Sequence, residues 1–251
     1  MYTYSVSKRA KTVAQPRGGF LPLSLFTRYS FEDGLALKEG ENIPAGITGQ
    51  AVDYMSRFVS GFVSPQESFN ISLLGAIRAG KGQRGMELLG QIKGLDDSSL
   101  VSACKLASYD TFYRVPGSVF SSEPEPNSAT LFNLRLMVTR MVSFLAEYGP
   151  ITAEGFTMEG GYTDIVSSGD GDFLTENTLW DIKTSKKTPT SKDTLQLLMY
   201  YIMGKHSWNS DFDSIQNIGI MNPRLNSVWL LDANTISTSL IQLVSRDVIG
   251  Y

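Results

Sequence analysis

Apolar residues recur at helical spacing through much of the chain before residue 150. Between residues 44 and 61 they follow steps of three and four, and Gly61 is placed to cap the C-terminus of the resulting helix. Residues 62–114 predict further helices. The interval 131–148 carries a long apolar stripe, which Pro150 follows. We therefore predict a mainly helical N-terminal part.

After residue 150 the pattern changes to short apolar runs interrupted by one long helix. The predicted elements are strands at 151–158 and 165–166, a hairpin at 173–180, a helix from about Thr190 or Ser191, strands at 215–221 and 227–231, and a helix over 233–244. This order predicts an α/β fold in which helices flank a central sheet.

Composition divides the chain into three parts. Residues 1–20 carry four basic and no acidic side chains, and they predict a basic flexible arm or, alternatively, an arm that grips phosphate. Residues 21–126 form the predicted helical region, and residues 127–251 form the α/β core. The polar stretch 121–128, which contains two prolines, is the predicted linker between them.

Charge and hydropathy limit the partners and the location. The net charge is −3 and the pI is about 5.3, so any attraction to nucleic acid has to come from local patches. No apolar run reaches the ~18 residues that span a bilayer. The basic N-terminus lacks the hydrophobic segment of a secretory signal. With Cys104 as the one cysteine, we expect a cytoplasmic protein without disulfides or membrane association, whose oligomeric state is open.

The predicted hairpin brings two acidic residues together. Residues 173–175 and 178–180 are apolar or β-branched runs on either side of the centre at 176–177. Pairing about that centre places Asp172 opposite Asp181. Cross-strand partners have Cβ atoms roughly 4.5–5.5 Å apart, and two carboxylates at that distance repel each other unless a cation neutralises them.

Alternation along the second hairpin strand adds a lysine to this acidic pair. Lys183 lies two residues after Asp181 and shares its face, together with Asp172, whereas Trp180 and Ile182 point to the other side. Carboxylate and carbonyl oxygens are the ligands that Mg²⁺ or Mn²⁺ prefers. The sequence therefore predicts a metal site on the polar face of the hairpin.

These residues carry a resemblance to a known family. The run 181–183, Asp-Ile-Lys, with Asp172 at a short interval before it, resembles the signature of the PD-(D/E)XK nuclease superfamily. Gln196 and Tyr200 on the next predicted helix are similar to the QxxxY element of its RecB-like branch. The resemblance covers about residues 151–232. It implies a restriction-endonuclease-like core, with a mixed central sheet flanked by helices and a helical N-terminal insertion.

The resemblance also implies a chemistry, that of a Mg²⁺- or Mn²⁺-dependent deoxyribonuclease. Its implied assignments are metal ligation by Asp172, Asp181 and the Ile182 carbonyl, orientation of water or stabilisation of phosphorane charge by Lys183, and positioning of the substrate backbone by Gln196 and Tyr200. Endonucleases and exonucleases, on single- or double-stranded DNA, share these motifs, so all of these alternatives stay open.

Further acidic residues are candidates beside this set. Glu154, one predicted strand earlier, is a candidate metal ligand, with Glu159 or neither as the alternatives. Asp170 is a rival to Asp172, although only Asp172 is opposite Asp181 in the symmetric register. Asp53 stands where RecB-like nucleases often carry a histidine, and it is either an acid near the metal or a member of a helix-internal salt bridge.

Basic side chains next to the acidic residues are candidates for substrate binding. Lys186, Lys187 and Lys192 are either solubilising or phosphate-contacting residues. Residues 75–82 match most of a nucleotide-binding phosphate loop, but Gly82 lacks the hydroxyl that holds Mg²⁺. We interpret that segment as a basic interhelical loop.

Two function classes follow from this sequence. The first is a metal-dependent DNA nuclease that acts in repair, recombination or defence. The second is a non-catalytic nucleic-acid- or protein-binding module, encoded by a phage or mobile element, on a nuclease-like fold. In either class the helical N-terminal region is the expected surface for a protein partner, and DNA is the expected ligand of the core.

Overall fold

The computed structural model describes residues 3–115, 117–118 and 122–251. It contains two compact units: Met1–Phe31 with Tyr148–Tyr251, here called the α/β unit, and Glu32–Glu147, here called the helical unit. Residues 1–2 of the predicted arm, and residues 116 and 119–121 of the predicted helical region and linker, lie outside the described residues. The helical unit is thus an insertion in the chain of the α/β unit.

The N-terminal segment belongs to the α/β unit and is folded. It forms β1 (Tyr4–Ser5), α1 (Val6–Thr12), a short 3₁₀ turn (Leu23–Leu25) and β2 (Thr27–Ser30). Val6 and Ala10 are one helical turn apart and are both buried. The expectation of a flexible arm over residues 1–20 is therefore corrected for residues 3–20, because two small apolar side chains on one face of α1 join the core.

The helical unit contains the elements predicted from helical periodicity. In chain order they are α2 (Ala45–Val59), α3 (Pro65–Ser68), α4 (Asn70–Arg78), α5 (Gly82–Gln91), α6 (Asp97–Ala107), α7 (Asp110–Arg114) and α8 (Ser128–Tyr148). Gly61 has a φ of +77°, as the predicted helix cap requires. The predicted boundary after residue 126 differs from the structure, where α8 up to Glu147 belongs to the helical unit.

Helix α8 is long and apolar enough to span a membrane by length and composition. Its most apolar window has a mean hydropathy of 1.2, and 56% of that window is buried within the protein. Burial of this extent is typical of the core helix of a globular unit.

The remaining elements complete the α/β unit. They are β3 (Ile151–Glu154), β4 (Val166–Ser168), β5 (Phe173–Thr175), β6 (Thr178–Ile182), α9 (Ser191–His206), β7 (Asn217–Asn222), β8 (Ser227–Asp232) and α10 (Thr238–Val244), with a π-helical end at Ser245–Ile249. Six strands form one mixed sheet in the order β2-β8-β7-β6-β5-β3, and β1 pairs separately with β4. The α/β class and the mixed sheet flanked by helices are confirmed.

The predicted hairpin has the predicted register. Strands β5 and β6 are antiparallel, with Phe173 opposite Trp180 and Leu174 opposite Leu179. Strand β6 then runs parallel to β7, and α9 forms the crossover between them. Leu174 and Leu179 lie in the core that α9 shares with the sheet, so this helix covers the face of the sheet on which Asp181 also lies.

Two predicted elements have different boundaries in the structure. The strand predicted over residues 151–158 ends at Glu154, because Gly155 adopts a φ of +57° that breaks the extended chain. The last helix begins at Thr238 rather than 233. Asp232 caps only a short 3₁₀ turn, and the side chain of Ser237 caps α10.

Candidate active site

Asp181 is a buried carboxylate at the end of a central strand. It lies on β6 and is 2% exposed, in register with Ile220 of the neighbouring strand. Its Oδ2 lies 2.7 Å from Nζ of Lys183, two residues further along the same face. That oxygen accepts no hydrogen bond of good geometry from the described residues. The contact with Lys183 is therefore an ion pair, and the buried Oδ2 is an acceptor whose hydrogen-bonding capacity is not used by the described residues.

Asp172 is brought to the same place by the loop that precedes β5. Its Oδ2 accepts a hydrogen bond of 2.5 Å from the backbone N–H of Ile182. The loop is held by a second contact, in which Gly171 N–H donates to the Phe156 carbonyl at 2.9 Å. The phenyl ring of Phe156 occupies the position that a Cβ at residue 171 would take, so this loop conformation requires glycine there. The structure thus brings Asp172, Asp181 and Lys183 together.

The charges of this cluster shift one another's titration. Burial raises the pKa of Asp181, and the Lys183 ammonium opposes that rise. Burial lowers the pKa of Lys183, but the carboxylates of Asp181 and Asp172 outweigh it and hold the pKa above its ordinary value. Lys183 is therefore charged at neutral pH, and both carboxylates lie close enough to stabilise that charge.

Gln196 and Tyr200 form a chain of hydrogen bonds behind the carboxylates. Gln196 Nε2 donates to Asp181 Oδ1 at 3.3 Å and to the Tyr200 hydroxyl at 3.1 Å. The hydroxyl of Tyr200 donates to the backbone carbonyl of Asp170 at 2.7 Å. Both side chains are buried, at 9% and 3% exposure. They hold Asp181 and the loop that carries Asp172, and their contact with substrate stays a prediction.

The peptide that follows Lys183 is fixed by the turn between β7 and β8. Asn222 Nδ2 donates to the Ser185 carbonyl at 2.9 Å, and Arg224 Nε donates to the Thr184 carbonyl at 2.7 Å. Asn222 is fully buried and Arg224 is 9% exposed. Sequence reasoning treated these residues only as a strand connection. The one signal in the sequence that could have indicated their contacts is that Asn222 and Arg224, two strong hydrogen-bonding side chains, stand at the end of β7 and in the turn after it.

The predicted substrate-binding lysines lie at the same end of the sheet. Lys186 and Lys187 are exposed in the loop between β6 and α9, and Lys192 is exposed in the first turn of α9. Thr190 and Asp193 form a capping box at that helix end, as Thr190 N–H donates to Asp193 Oδ2 at 2.7 Å. The three lysines are thus exposed to solvent, in the loop that follows Lys183 and in the helical turn after it.

Two predicted acidic residues lie elsewhere. Glu154 is in register with Phe173, which is opposite Trp180, so it lies on the face of the sheet away from Asp181. Its assignment as a metal ligand is therefore corrected by the register of β3. Asp53 forms an ion pair of 3.2 Å with Arg57 in α2, as the salt-bridge alternative predicted. Gly75 lies inside α4, so the segment resembling a phosphate loop is mostly helix.

The donor set at Asp181 has the composition that a hard divalent cation needs. The N–H of Ile182 points to the Asp172 carboxylate, and in an extended strand the carbonyl of the same residue points to the same side. Within the described residues there is no group of three or more His, Cys, Asp or Glu side chains placed to hold a metal. Mg²⁺ is usually bound through one or two carboxylates, with water and phosphate oxygens completing the shell. Two carboxylates, of which Asp181 has an Oδ2 without a hydrogen bond, therefore fit Mg²⁺ or Mn²⁺, and they do not fit a caged structural metal.

No family model, no curated protein and no solved structure matches this chain.

Proposed function

We propose that the protein is a metal-dependent nuclease that hydrolyses phosphodiester bonds of DNA. The observation that supports it best is the meeting of Asp172, Asp181 and Lys183 at one end of β6, where Lys183 Nζ lies 2.7 Å from Asp181. Two carboxylates and a cationic amine within one small volume are the groups that this chemistry uses. The order of the motifs, D, D-x-K and Q-x-x-x-Y, supports the same conclusion.

Each residue of the candidate active site has a role in this proposal. Asp172, Asp181 and the Ile182 carbonyl would hold Mg²⁺ or Mn²⁺, which when bound polarises the scissile phosphate and lowers the pKa of a bound water. Lys183, charged at neutral pH, stabilises the negative charge that develops on the phosphate oxygens. Gln196 and Tyr200 are positioning residues, because their hydrogen bonds end on Asp181 and on the backbone of Asp170.

The finer fold assignment belongs to this proposal as well. An antiparallel hairpin, a crossover helix and a parallel strand, with carboxylates at the carboxyl end of the second hairpin strand, support a restriction-endonuclease-like core of the RecB-like branch. A cytoplasmic enzyme of DNA repair, recombination or defence, from a phage or its bacterial host, is the setting in which such a core would act.

The proposal is tested by cleavage of linear, circular and single-stranded DNA with Mg²⁺ or Mn²⁺. We expect Asp181→Asn and Lys183→Ala to lower the cleavage rate by about 10³-fold or more, because each removes a group that acts on the developing charge. Both variants should still unfold cooperatively on heating, which shows that they are folded. Calorimetry should show Mn²⁺ binding that Asp181→Asn removes.

Glu154→Gln is the matched control, because it removes a carboxylate from the opposite face of the same sheet. It should cleave at the wild-type rate. If Asp181→Asn and Lys183→Ala both cleave like the wild type, the proposal is wrong. If the wild type binds DNA but neither cleaves it nor binds Mn²⁺, the protein is a binding module on this fold.

A further inference from the structure

Five basic side chains of the α/β unit are exposed and have no acidic partner. Lys8, Lys11, Arg17, Lys187 and Lys192 form no ion pair and no side-chain hydrogen bond within the described residues. The other lysines and arginines of this unit are engaged within it. Lys183 and Arg246 contact carboxylates, and Arg9, Lys205 and Arg224 donate to backbone carbonyls. Arg28 donates to the Ser227 hydroxyl, and Lys186 also has a partner. Lys8 Nζ lies 5.7 Å from the centroid of the Tyr4 ring, which leaves its charge unneutralised. The five cations therefore keep charge that is available to an outside ligand.

These five residues come from segments that pack together. Helix α1, which carries Lys8 and Lys11, packs against α9, whose first turn carries Lys192. The loop with Lys187 leads directly into α9. Residues 1–31 contain five basic and no acidic residues in a chain of net charge −3. The five cations are thus carried by α1, by the turn that follows it, by the loop before α9 and by the first turn of α9.

Arg17 is held at the start of α9 by the turn of residues 15–21. Gly19 lies so close to α9 that a Cβ on it would be 2.5 Å from Cβ of Ser191, and its φ is +89°. The hydroxyl of Thr194 donates to the Leu21 carbonyl at 2.6 Å, in a buried contact. These contacts bind the turn to the first helical turn after the loop of Lys186 and Lys187. The backbone that follows Arg17 is therefore held against the start of α9.

We propose that Lys8, Lys11, Arg17, Lys187 and Lys192 form a surface that binds the phosphate backbone of a nucleic acid strand and leads it to the carboxylates. This inference rests on the proposed function and names a part of the protein that binds the substrate outside the reacting centre. Exposed cations without internal partners are the groups that release counterions when they neutralise phosphates. The turn with Arg17 follows α1 in the chain and packs on the start of α9, the helix that carries Lys192.

The test is the binding of a fluorescent oligonucleotide, single-stranded or duplex, by the full chain in EDTA, where no metal-dependent cleavage occurs. Affinity is measured by anisotropy over a series of salt concentrations. Arg17→Ala and Lys192→Ala should each weaken binding about three- to tenfold at low salt and reduce the slope of log K against log[salt] by about 0.7–0.9. Arg17→Lys should bind nearly as the wild type does, because the charge remains.

Lys93→Ala is the control, because it removes an exposed lysine that has no ion pair but belongs to the helical unit. The inference is overturned if Lys93→Ala weakens binding as much as Arg17→Ala, or if the wild type binds no oligonucleotide. Binding to phosphatidylserine vesicles but not to oligonucleotides also overturns it and indicates a membrane surface. A wild type that binds oligonucleotides through these cations but never cleaves them retains this surface and loses only the nuclease proposal.

Discussion

At the scale of single residues, Asp181 is the one acidic residue of the α/β unit that is buried, among the described residues. Its carboxylate is 2% exposed, and its charged partner is the Lys183 ammonium at 2.7 Å. Removing one member of a buried ion pair leaves an uncompensated charge, which typically costs more than the pair contributes. The pair thus makes local stability depend on the same atoms that the proposed chemistry uses.

Replacing Lys183 by methionine tests this dependence without any assay of activity. The change should lower the free energy of unfolding by about 3 kcal/mol at pH 8. Burial already raises the pKa of Asp181, and loss of the ammonium raises it further. A carboxyl whose folded-state pKa is raised contributes stability below its unfolded pKa, and this contribution is lost as the pH rises through the folded-state pKa. The destabilisation should therefore be smaller at pH 4.5 than at pH 8.

Urea unfolding at the two pH values measures the effect. Lys187→Met, which removes an exposed lysine from the following loop, should change stability little at either pH. Equal destabilisation by Lys183→Met at both pH values would show that protonation of Asp181 does not relieve the loss of the ion pair.

Sequence reasoning succeeded at this scale where the relevant geometry is local. Asp181 and Lys183 share a face because side chains alternate along a strand, and Gln196 meets Tyr200 because they are four apart on a helix. The hydrogen bond of Gln196 to Asp181 was not predicted, because it depends on burial by elements far away in sequence. The contact of Gln196 and Tyr200 with substrate stays a prediction. The prediction that Glu154 is a metal ligand was wrong, because the face on which its side chain lies is set by the register of β3 with β5.

At the scale of elements, the loop before β5 is fixed by a glycine beneath an aromatic ring. A Cβ at residue 171 would lie 1.9–2.6 Å from three atoms of the Phe156 ring. Gly171 does not have a positive φ, so its backbone conformation is one that alanine can adopt. The cost of alanine at this position would therefore come from the clash with the ring alone. This loop carries Asp172, and its displacement would move one carboxylate away from the other.

Gly171→Ala should therefore lower the free energy of unfolding by about 1–3 kcal/mol, in the range of overpacked cores. It should also lower metal-dependent cleavage, because Asp172 moves. Chemical denaturation and cleavage rates are the two measurements. Phe156→Leu, combined with Gly171→Ala, should recover part of both losses, which a double-mutant cycle reports as coupling.

Gly90→Ala is the matched control for the glycine change. Gly90 lies in α5 with nothing within 4 Å of its added Cβ. Alanine in a helix interior is favoured over glycine by up to about 1 kcal/mol, so this variant should be more stable than the wild type. Destabilisation of the same size at both positions would remove the steric explanation.

Element boundaries were predictable where the local chemistry is strong. The start of α9 follows from the capping box of Thr190 and Asp193, and the hairpin register follows from two short apolar runs about one centre. Helix α1 was missed because its basic residues were weighed more than Val6 and Ala10, whose partners lie in distant strands and in α9. Charge patterns describe a surface and do not show which small apolar residues are covered.

At the scale of the whole molecule, the helical unit is inserted into the α/β unit at a single place. The aromatic rings of Phe31 and Tyr148, the last and first residues of the α/β unit on either side of the insertion, have centroids 6.4 Å apart. Tyr148 in turn packs edge-on against Trp180 at 5.3 Å. The chain therefore leaves and re-enters the α/β unit at neighbouring points, and the residues proposed for catalysis belong to that unit alone.

Excising residues 32–147 should therefore leave a protein that folds and keeps its metal site. A flexible glycine-serine linker of about six residues spans the short gap easily. The shortened chain should unfold cooperatively on heating and should bind Mn²⁺ in calorimetry, and Asp181→Asn should remove that binding. The physical reason is that the mixed sheet, α9 and the carboxylates draw their core from residues 3–31 and 148–251. Residues 32–147 expressed alone should be helical and show no such Mn²⁺ binding. A shortened chain that stays unfolded would mean that the helical unit supplies part of the stability of the sheet.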